Sequence, residues 1–306
     1  MLMKYLTGLY CCIFILPCGA VNSQQFYNTW FYKYNWVWEA GIGPGFMNCL
    51  TDIGGRKGNG GRFIKDINWQ ASRPAISFYT SATYKDILTL RLEFQSGSIG
   101  AADSLLKHSN PDPGGRYGRN LHFRSHVREW QLCIETHPLF WKLKDEDKIP
   151  SWSPYLQTGV AFFSFDPEAQ THGHWHRLQP LRLEGQGFAE YEDRKAYKTN
   201  QFAIPLGIGI RYETGPRFNV RLEFAYRILF TDYLDDVSTA YIDPSLFAKY
   251  LDPGLASIAK HLHYRTSEIQ PGTNVPVGEQ RGNSRNNDAY FSVLLKLGYV
   301  FRSKVK

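Results

Sequence analysis

The sequence has few cysteines and, after its first residues, no long apolar run. Three of its five cysteines lie within the first 18 residues, which leaves only Cys49 and Cys133 in the rest of the chain. Two cysteines so far apart do not make a disulfide framework. The lack of apolar runs of about 20 residues excludes a helical membrane protein, and no linker, repeat or low-complexity tract indicates a second domain.

Aromatic side chains are abundant: the 306 residues include 20 Phe, 19 Tyr and 8 Trp. Such a content is expected of a membrane barrel with an aromatic girdle at each interface. The formal net charge is +7, and it falls by one if Lys4 is removed with a leader. For a surface protein this charge favours contact with anionic lipid or sugar headgroups, including lipopolysaccharide, and we predict no nucleic-acid partner.

The N-terminal segment is typical of a secretory signal. Lys4 provides a positive start, and the apolar stretch after it is shorter than a comfortable membrane span. We predict a signal peptide over residues 1–23, with cleavage before Gln24, and a single barrel domain over residues 24–306. An acylated Cys18, as in a lipoprotein, is the alternative reading.

Two stretches alternate strictly between apolar and polar or small residues. Apolar side chains occupy every second position from Phe202 to Tyr212 and again from Phe218 to Phe230, with Thr214–Arg217 between the two runs. A period of two over this length predicts long strands with one apolar face. Strands of about 9–11 residues with an apolar outer face and a polar inner face are what a barrel needs in lipid.

The same period along the chain predicts eight strands. They are Trp36–Phe46, Arg73–Tyr84, Leu88–Gly97, Asn120–His137, Tyr155–Phe165, Gln201–Glu213, Phe218–Thr231 and Ala289–Phe301. Short and long connections alternate between them. The fold class is therefore predicted to be all-β, an eight-stranded antiparallel up-and-down transmembrane β-barrel with long extracellular loops and both termini in the periplasm. We expect location in the cell outer membrane.

Charged residues occupy the inward positions of these strands. The predicted lumen charge network comprises Glu39, Arg91, Glu93, Glu129, Glu135, Arg211, Arg221, Glu223, Arg227 and Lys296. Because eight strands enclose a space that side chains fill, mixed acids and bases predict a salt-bridged plug and no open pore. A proton or ion path is the functional alternative.

Two loop segments carry groups that bind metals in other proteins. His172, His174 and His176 would share one side of an extended segment, as zinc ligands can, but no carboxylate lies at a familiar offset. The run Asp232–Asp236 has oxygen ligands suited to calcium, yet capping a helix from Val237 or pairing with loop arginines is the simpler reading. We predict no metal and no cofactor. Residues 244–260 are predicted to be helical.

No catalytic constellation can be read from the sequence. Ser125 and His126 are neighbours on a strand, so their side chains point to opposite faces and form no local pair. We predict no catalytic residue and no enzymatic activity. A basic first loop that contains Arg56 and Lys65 is read either as facing phosphorylated headgroups or as simply solvated.

Several segments resemble a known family. Residues 178–187 with 201–209, the run 230–238 and the segment 280–283 are similar to PorG-like outer-membrane barrels of the Bacteroidetes type IX secretion system. The motif residues in the loops are Asp232, Tyr233, Asp235, Asp236, Gln280, Arg281 and Asn283. The histidine-rich insert and the basic first loop are not features associated with that family.

The resemblance implies a non-enzymatic scaffold or anchor of the type IX protein secretion system. Its implied partners are the lipoprotein of the periplasmic ring and the companion of that lipoprotein. Candidate docking residues on the periplasmic link are Trp141, Lys142, Lys144 and Trp152, although girdle anchoring explains the tryptophans equally well. The alternative function is a surface barrel whose long loops bind glycan, lipopolysaccharide or a host ligand.

Overall fold

The computed structural model describes residues 35–54, 68–108, 115–141, 151–215 and 217–301. The predicted signal peptide, most of the basic first loop, and Lys142 and Lys144 lie outside these residues. Among the described residues, no helix is long and apolar enough to cross a membrane.

Ten strands account for most of the described chain. Their bounds are β1 Trp36–Leu50, β2 Arg73–Tyr84, β3 Leu88–Ala102, β4 His122–Thr136, β5 Trp152–Ser164, β6 Pro167–Thr171, β7 His174–Arg177, β8 Asn200–Glu213, β9 Phe218–Leu229 and β10 Ala289–Phe301. Three α-helices follow the chain as α1 Arg116–Arg119, α2 Phe247–Tyr250 and α3 Pro253–His263. Short 3₁₀ turns lie at Trp69–Ala71, Asp103–His108, Pro138–Trp141, Gln179–Leu181, Ala189–Tyr191, Pro244–Leu246 and Thr266–Glu268.

Eight of the strands close into a barrel. Each of β1, β2, β3, β4, β5, β8, β9 and β10 pairs antiparallel with its neighbour in that order, and β10 returns to β1. Closure matters physically because it leaves no unpaired strand edge in the hydrocarbon. The predicted fold class, a transmembrane eight-stranded antiparallel barrel, is confirmed.

The strand bounds agree best where the apolar alternation is clean. Arg73–Tyr84 and Ala289–Phe301 coincide with β2 and β10, whereas the predicted ends of β1 and β3 were wrong by four and five residues, since these strands run to Leu50 and Ala102. The hairpin β6–β7 was not predicted, and it extends the sheet beyond β4. The predicted helix over 244–260 is also corrected: it is broken at Leu251 and Asp252, and its second part continues to His263.

The outer wall is apolar over the height of the barrel. Its exposed side chains include Trp38, Ile42, Phe78, Leu90, Leu132, Val160, Ile208, Leu222 and Leu297. We call the end of the barrel that carries the short β2–β3 and β8–β9 turns the short-turn end. Its exposed rings include Trp36, which packs 4.9 Å from Tyr84. An apolar wall around a charged interior is the reverse of a soluble protein, and it is the arrangement that a bilayer stabilises.

The long connections fold over one mouth of the barrel. Leu181, Leu234, Phe247 and Leu262 are buried there, in the same apolar cluster as Tyr290 at the upper end of the lumen. We call residues 51–54, 103–121, 178–199 and 231–288 the cap, as far as the structure describes them. The barrel interior and the cap therefore share one continuous core.

Candidate functional site: the lumen network and the cap

Glu223 on β9 stands at the centre of the lumen. Its carboxylate accepts hydrogen bonds from Arg91 Nη1 at 2.7 Å, from Lys296 Nζ at 2.8 Å and from Tyr155 Oη at 2.8 Å. The register of four different strands brings these groups together, and none of them is exposed by more than about 1%. A buried carboxylate with two cations and a hydroxyl is fully compensated, which is the condition under which buried charge is tolerated.

Four further ion pairs extend this centre. Lys296 also donates to Glu93 at 2.7 Å, and Arg91 forms a close ion pair with Glu135. Arg221 reaches Glu135 at 2.9 Å and Glu39 at 2.7 Å. Each of these cations thus bridges at least two acids, so the charges form a connected network rather than isolated pairs.

A separate group fills the lumen nearer the cap. Arg227 pairs with Glu129 at 2.8 Å and donates to Gln95 at 2.7 Å. Tyr290 donates to the second oxygen of Glu129 at 2.5 Å. At the opposite end, Arg211 lies 3.6 Å from Asp86 in the β2–β3 turn.

All ten residues of the predicted lumen network face the interior and are buried. They carry five positive and five negative charges, so these ten residues compensate one another. Aromatic rings complete the filling, since Gly209 leaves the space that the Tyr155 ring occupies and a Cβ there would overlap that ring. This interior is a packed plug.

The loop motifs meet in the cap. Glu184 accepts hydrogen bonds from Ser238 N at 3.0 Å, from Thr239 N at 2.8 Å and from Arg281 Nη1 at 2.9 Å. Arg281 also donates to the carbonyl of Asp236 at 2.9 Å. A buried Glu–Arg pair therefore ties three distant loop segments together.

The other motif residues surround this pair. Asp235 accepts from Ile53 N at 2.8 Å and Val237 N at 2.9 Å, so it secures a turn, and the helix considered from Val237 does not form. Asp236 accepts from Tyr197 Oη at 2.7 Å, and Tyr233 stacks on the Tyr197 ring at 4.9 Å. Asp232 is buried. Gln280 forms an isolated antiparallel β-bridge with Ala240, and the backbone N–H of Asn283 donates to the Asp52 carboxylate.

Glu184 and Arg119 were not chosen as site residues from the sequence. Glu184 lies within a segment that supports the resemblance, which is the signal that could have found it. Arg119 pairs with Asp103 at 2.9 Å and donates to the carbonyl of Arg281 at 2.6 Å. Nothing local marks Arg119, because its partners are distant in sequence.

His172, His174 and His176 do not belong to one extended segment, as the prediction of a shared side required. His172 has a positive φ of 51° in the turn between β6 and β7, and it stacks on His261 at 5.1 Å. His174 and His176 lie on β7. Among the described residues, no group of three His, Cys, Asp or Glu side chains is arranged to hold a metal ion.

Ser125 and His126 point to opposite faces of β4. Ser125 is buried and accepts from Asp166 N at 2.9 Å, whereas His126 lies outside, 3.2 Å from Ser96 Oγ. The structure records no carboxylate against His126 within the part of the chain that it describes. A Ser–His contact without a third, orienting group lacks the arrangement by which a serine is activated.

The cap should be pH-sensitive. Burial raises the pKa of Asp235 and of Asp236 to about 7. Because the pKa of an unfolded aspartate is about 3.9, the folded cap binds more protons than the unfolded chain between those pH values. The cap therefore loses stability as the pH rises from about 4 to about 7. We expect amide exchange over residues 232–238, corrected for its intrinsic pH dependence, to be faster at pH 8 than at pH 5.

The amides of β2 provide the internal control for that measurement, because no titrating cap residue contacts this strand's middle. Equal protection of residues 232–238 at both pH values would contradict the predicted protonation of the two aspartates.

A closed barrel with an apolar wall, a compensated lumen and a folded cap defines a transmembrane β-barrel of the outer-membrane type. The sequence also matches the model of a protein family, described as a domain of unknown function (DUF6089), over residues 84–244. That match covers just over half of the chain, from the end of β2 through β9 and the 230–238 motif. The protein belongs to the DUF6089 family.

Solved structures with a similar arrangement include outer-membrane and surface proteins of bacteria. The attachment invasion locus protein Ail of Yersinia pestis, solved with the heparin analogue sucrose octasulfate, is 8% identical, with 88% of this chain and 100% of that chain covered at a TM-score of 0.37. OprG from Pseudomonas aeruginosa is 11% identical over 87% and 96% of the two chains, also at 0.37. The barrel assignment rests on the strand pairing and not on these similarities. No curated protein matches the sequence.

Proposed function

We propose that the protein is a non-enzymatic outer-membrane barrel that serves as a scaffold or anchor of the type IX secretion system. The observation that carries this proposal is the filled lumen, in which Glu223, Arg91 and Lys296 are buried and mutually paired. In the part of the chain that the structure describes, a filled lumen under a folded cap argues against transport of a solute. The outer surfaces of the barrel would then carry its function by binding partners, and the motif resemblance indicates that these partners belong to the type IX secretion system.

The proposed orientation places the cap outside the cell and the short turns in the periplasm. The start of β1 and the end of β10 lie at the short-turn end, where Trp38 pairs with Phe301. Short periplasmic turns and long external loops are the usual pattern of outer-membrane barrels. The periplasmic ring would then contact the short-turn end.

Trp141 is the best candidate for that contact. It ends the 3₁₀ turn Pro138–Trp141, outside the barrel wall, and 58% of its surface is exposed. Trp152, in contrast, begins β5 within the wall and pairs with Tyr212, as a girdle residue does. Lys142 and Lys144 follow Trp141 in the sequence and would add positive charge to the same contact.

Replacement of Trp141 tests the proposal in a deletion strain. We expect Trp141→Ala to reduce type IX export and co-purification of the ring lipoprotein at least severalfold, because a central aromatic anchor supplies much of an interface's binding energy. The matched control is Trp36→Ala, which removes an equally exposed tryptophan from the wall at the same end of the barrel.

Three outcomes separate the alternatives. Equal, small effects of both variants would assign Trp141 to the girdle. Normal export in the deletion strain, with loss of binding to an externally added ligand, would favour a surface receptor. An altered lipid profile in that strain would favour a lipid-modifying enzyme.

A further inference from the structure

An aromatic row crosses five neighbouring strands on the outer wall. The paired residues in this row are Phe78, Phe94, Trp130, Phe162 and Phe202. The Phe94 and Trp130 rings lie 4.9 Å apart, and the Phe162 and Phe202 rings 5.3 Å apart. Aromatic rings collect where hydrocarbon meets headgroups, and on β3 and β4 the paired rings of Phe94 and Trp130 are the last outward apolar residues before the cap side.

The next row towards the cap is polar over four strands. Ser96, Arg128, Ser164 and Asn200 are paired in sequence across β3, β4, β5 and β8. The following outward pair is Ser98 with His126, and His126 lies 3.2 Å from Ser96 Oγ and 3.4 Å from Ser98 Oγ. Hydroxyl and imidazole groups therefore border Arg128 on the lipid-facing side.

The apolar belt is also shorter at this place. The outward-facing apolar residues of β3 extend only from Leu88 to Phe94. On β9 they extend from Phe218 to Ile228. Counted from the short-turn end, outward polar residues thus begin earlier on β3 and β4 than on β9. Arg128 therefore lies at the cap-side end of the apolar belt on β4.

Arg128 also differs from its basic neighbours in its charge balance. Arg124 pairs with Glu168 at 2.9 Å, and Arg177 pairs with Asp166 at 2.8 Å. Arg128 is exposed, and the structure records no ion pair between it and any described residue. Glu168 and Asp166 are thus paired with other arginines, and the guanidinium of Arg128 is available to bind an external anion.

We propose that Arg128, with Ser96, Ser98 and His126, binds the phosphate group of a lipid in the leaflet on the cap side. A guanidinium donates two parallel hydrogen bonds to a phosphate, and the serine hydroxyls donate from the neighbouring strand. The Trp130 and Phe94 rings below the site contact the acyl chains of the same lipid. This combination fits an amphiphilic ligand rather than a free anion, and it holds whether or not the protein serves secretion.

Native mass spectrometry of the purified barrel in detergent tests this site. The probe is bisphosphorylated lipid A, compared with its dephosphorylated form and with inorganic phosphate. We expect Arg128→Gln to weaken binding of the phosphorylated lipid about tenfold, the loss of one charge-assisted contact. Arg128→Lys, which keeps the charge but not the planar fork, should give a smaller loss.

Arg285→Gln is the matched control, because it removes the same charge from an exposed position in the cap loop, away from the wall. Heat-dependent gel mobility verifies that each variant is folded. The proposal is overturned if Arg128→Gln and Arg285→Gln bind the lipid equally, or if the dephosphorylated lipid binds wild type as tightly. Competition by inorganic phosphate at the concentration of the lipid would show a general anion site and would also overturn it.

Discussion

Replacing Glu223 by Gln should lower the free energy of unfolding of the barrel by about 3 kcal/mol, the usual cost of breaking a buried ion pair. The amide keeps the shape of the side chain but removes the charge that compensates Arg91 and Lys296. Neither cation can move into water, because both side chains are fully buried. Urea unfolding in lipid vesicles, followed by tryptophan fluorescence, measures the change.

Glu190→Gln provides the control for this experiment. Glu190 forms an exposed ion pair with Lys249 at 2.6 Å in the cap, where water replaces the lost partner. We expect its unfolding curve to overlay that of the wild type. A Glu223→Gln protein as stable as wild type would mean that the lumen network does not hold the barrel together.

Replacing Glu184 by Ala should open the cap while leaving the barrel closed. The change removes the acceptor of Ser238 N and Thr239 N and leaves Arg281 buried without its carboxylate partner. We expect exchange protection of these two amides to fall about a hundredfold, since unpaired buried donors and an unpaired buried charge together cost roughly 3 kcal/mol. Hydrogen exchange with peptide-level resolution measures it.

Glu192→Ala is the matched control, because Glu192 is exposed beside the same segment. Exchange over β2 and β10 should stay at its wild-type value in both variants, which separates cap opening from barrel unfolding. Unchanged protection of residues 238 and 239 in Glu184→Ala would show that the motif loops hold together without this carboxylate.

These two networks assign different roles to the charges of the protein. The lumen network joins strands on opposite sides of the barrel that the backbone does not pair, such as β9 with β3 and with β4, and it fills the space between them. The cap network joins segments with no regular structure in common, so side-chain hydrogen bonds replace a backbone ladder there. The cap is accordingly the part that we expect to respond to pH, while the barrel beneath it stays closed.

The faces of the barrel strands could be read from the sequence. Side chains alternate across a strand, so Arg221, Glu223 and Arg227 had to share the face opposite Leu222 and Ile228 whatever the partners were. The same periodicity gave the number of barrel strands and the bounds of β2 and β10. Strand ends were missed where the apolar signal stopped first: β3 continues past Gly97 because it rises out of the bilayer, where outward polar residues are stable.

The partners of these side chains were decided only by the tertiary structure. That Glu223 meets Arg91 and Lys296 depends on the register of β3, β9 and β10, and closure of the barrel fixes this register. Contacts such as Glu184 with Arg281, or Arg119 with Asp103, join loop residues that no local pattern relates. The sequence by itself determined which residues face lipid and which face the lumen, because periodicity is local, whereas the folded chain decided which charges neutralise one another, because pairing is not.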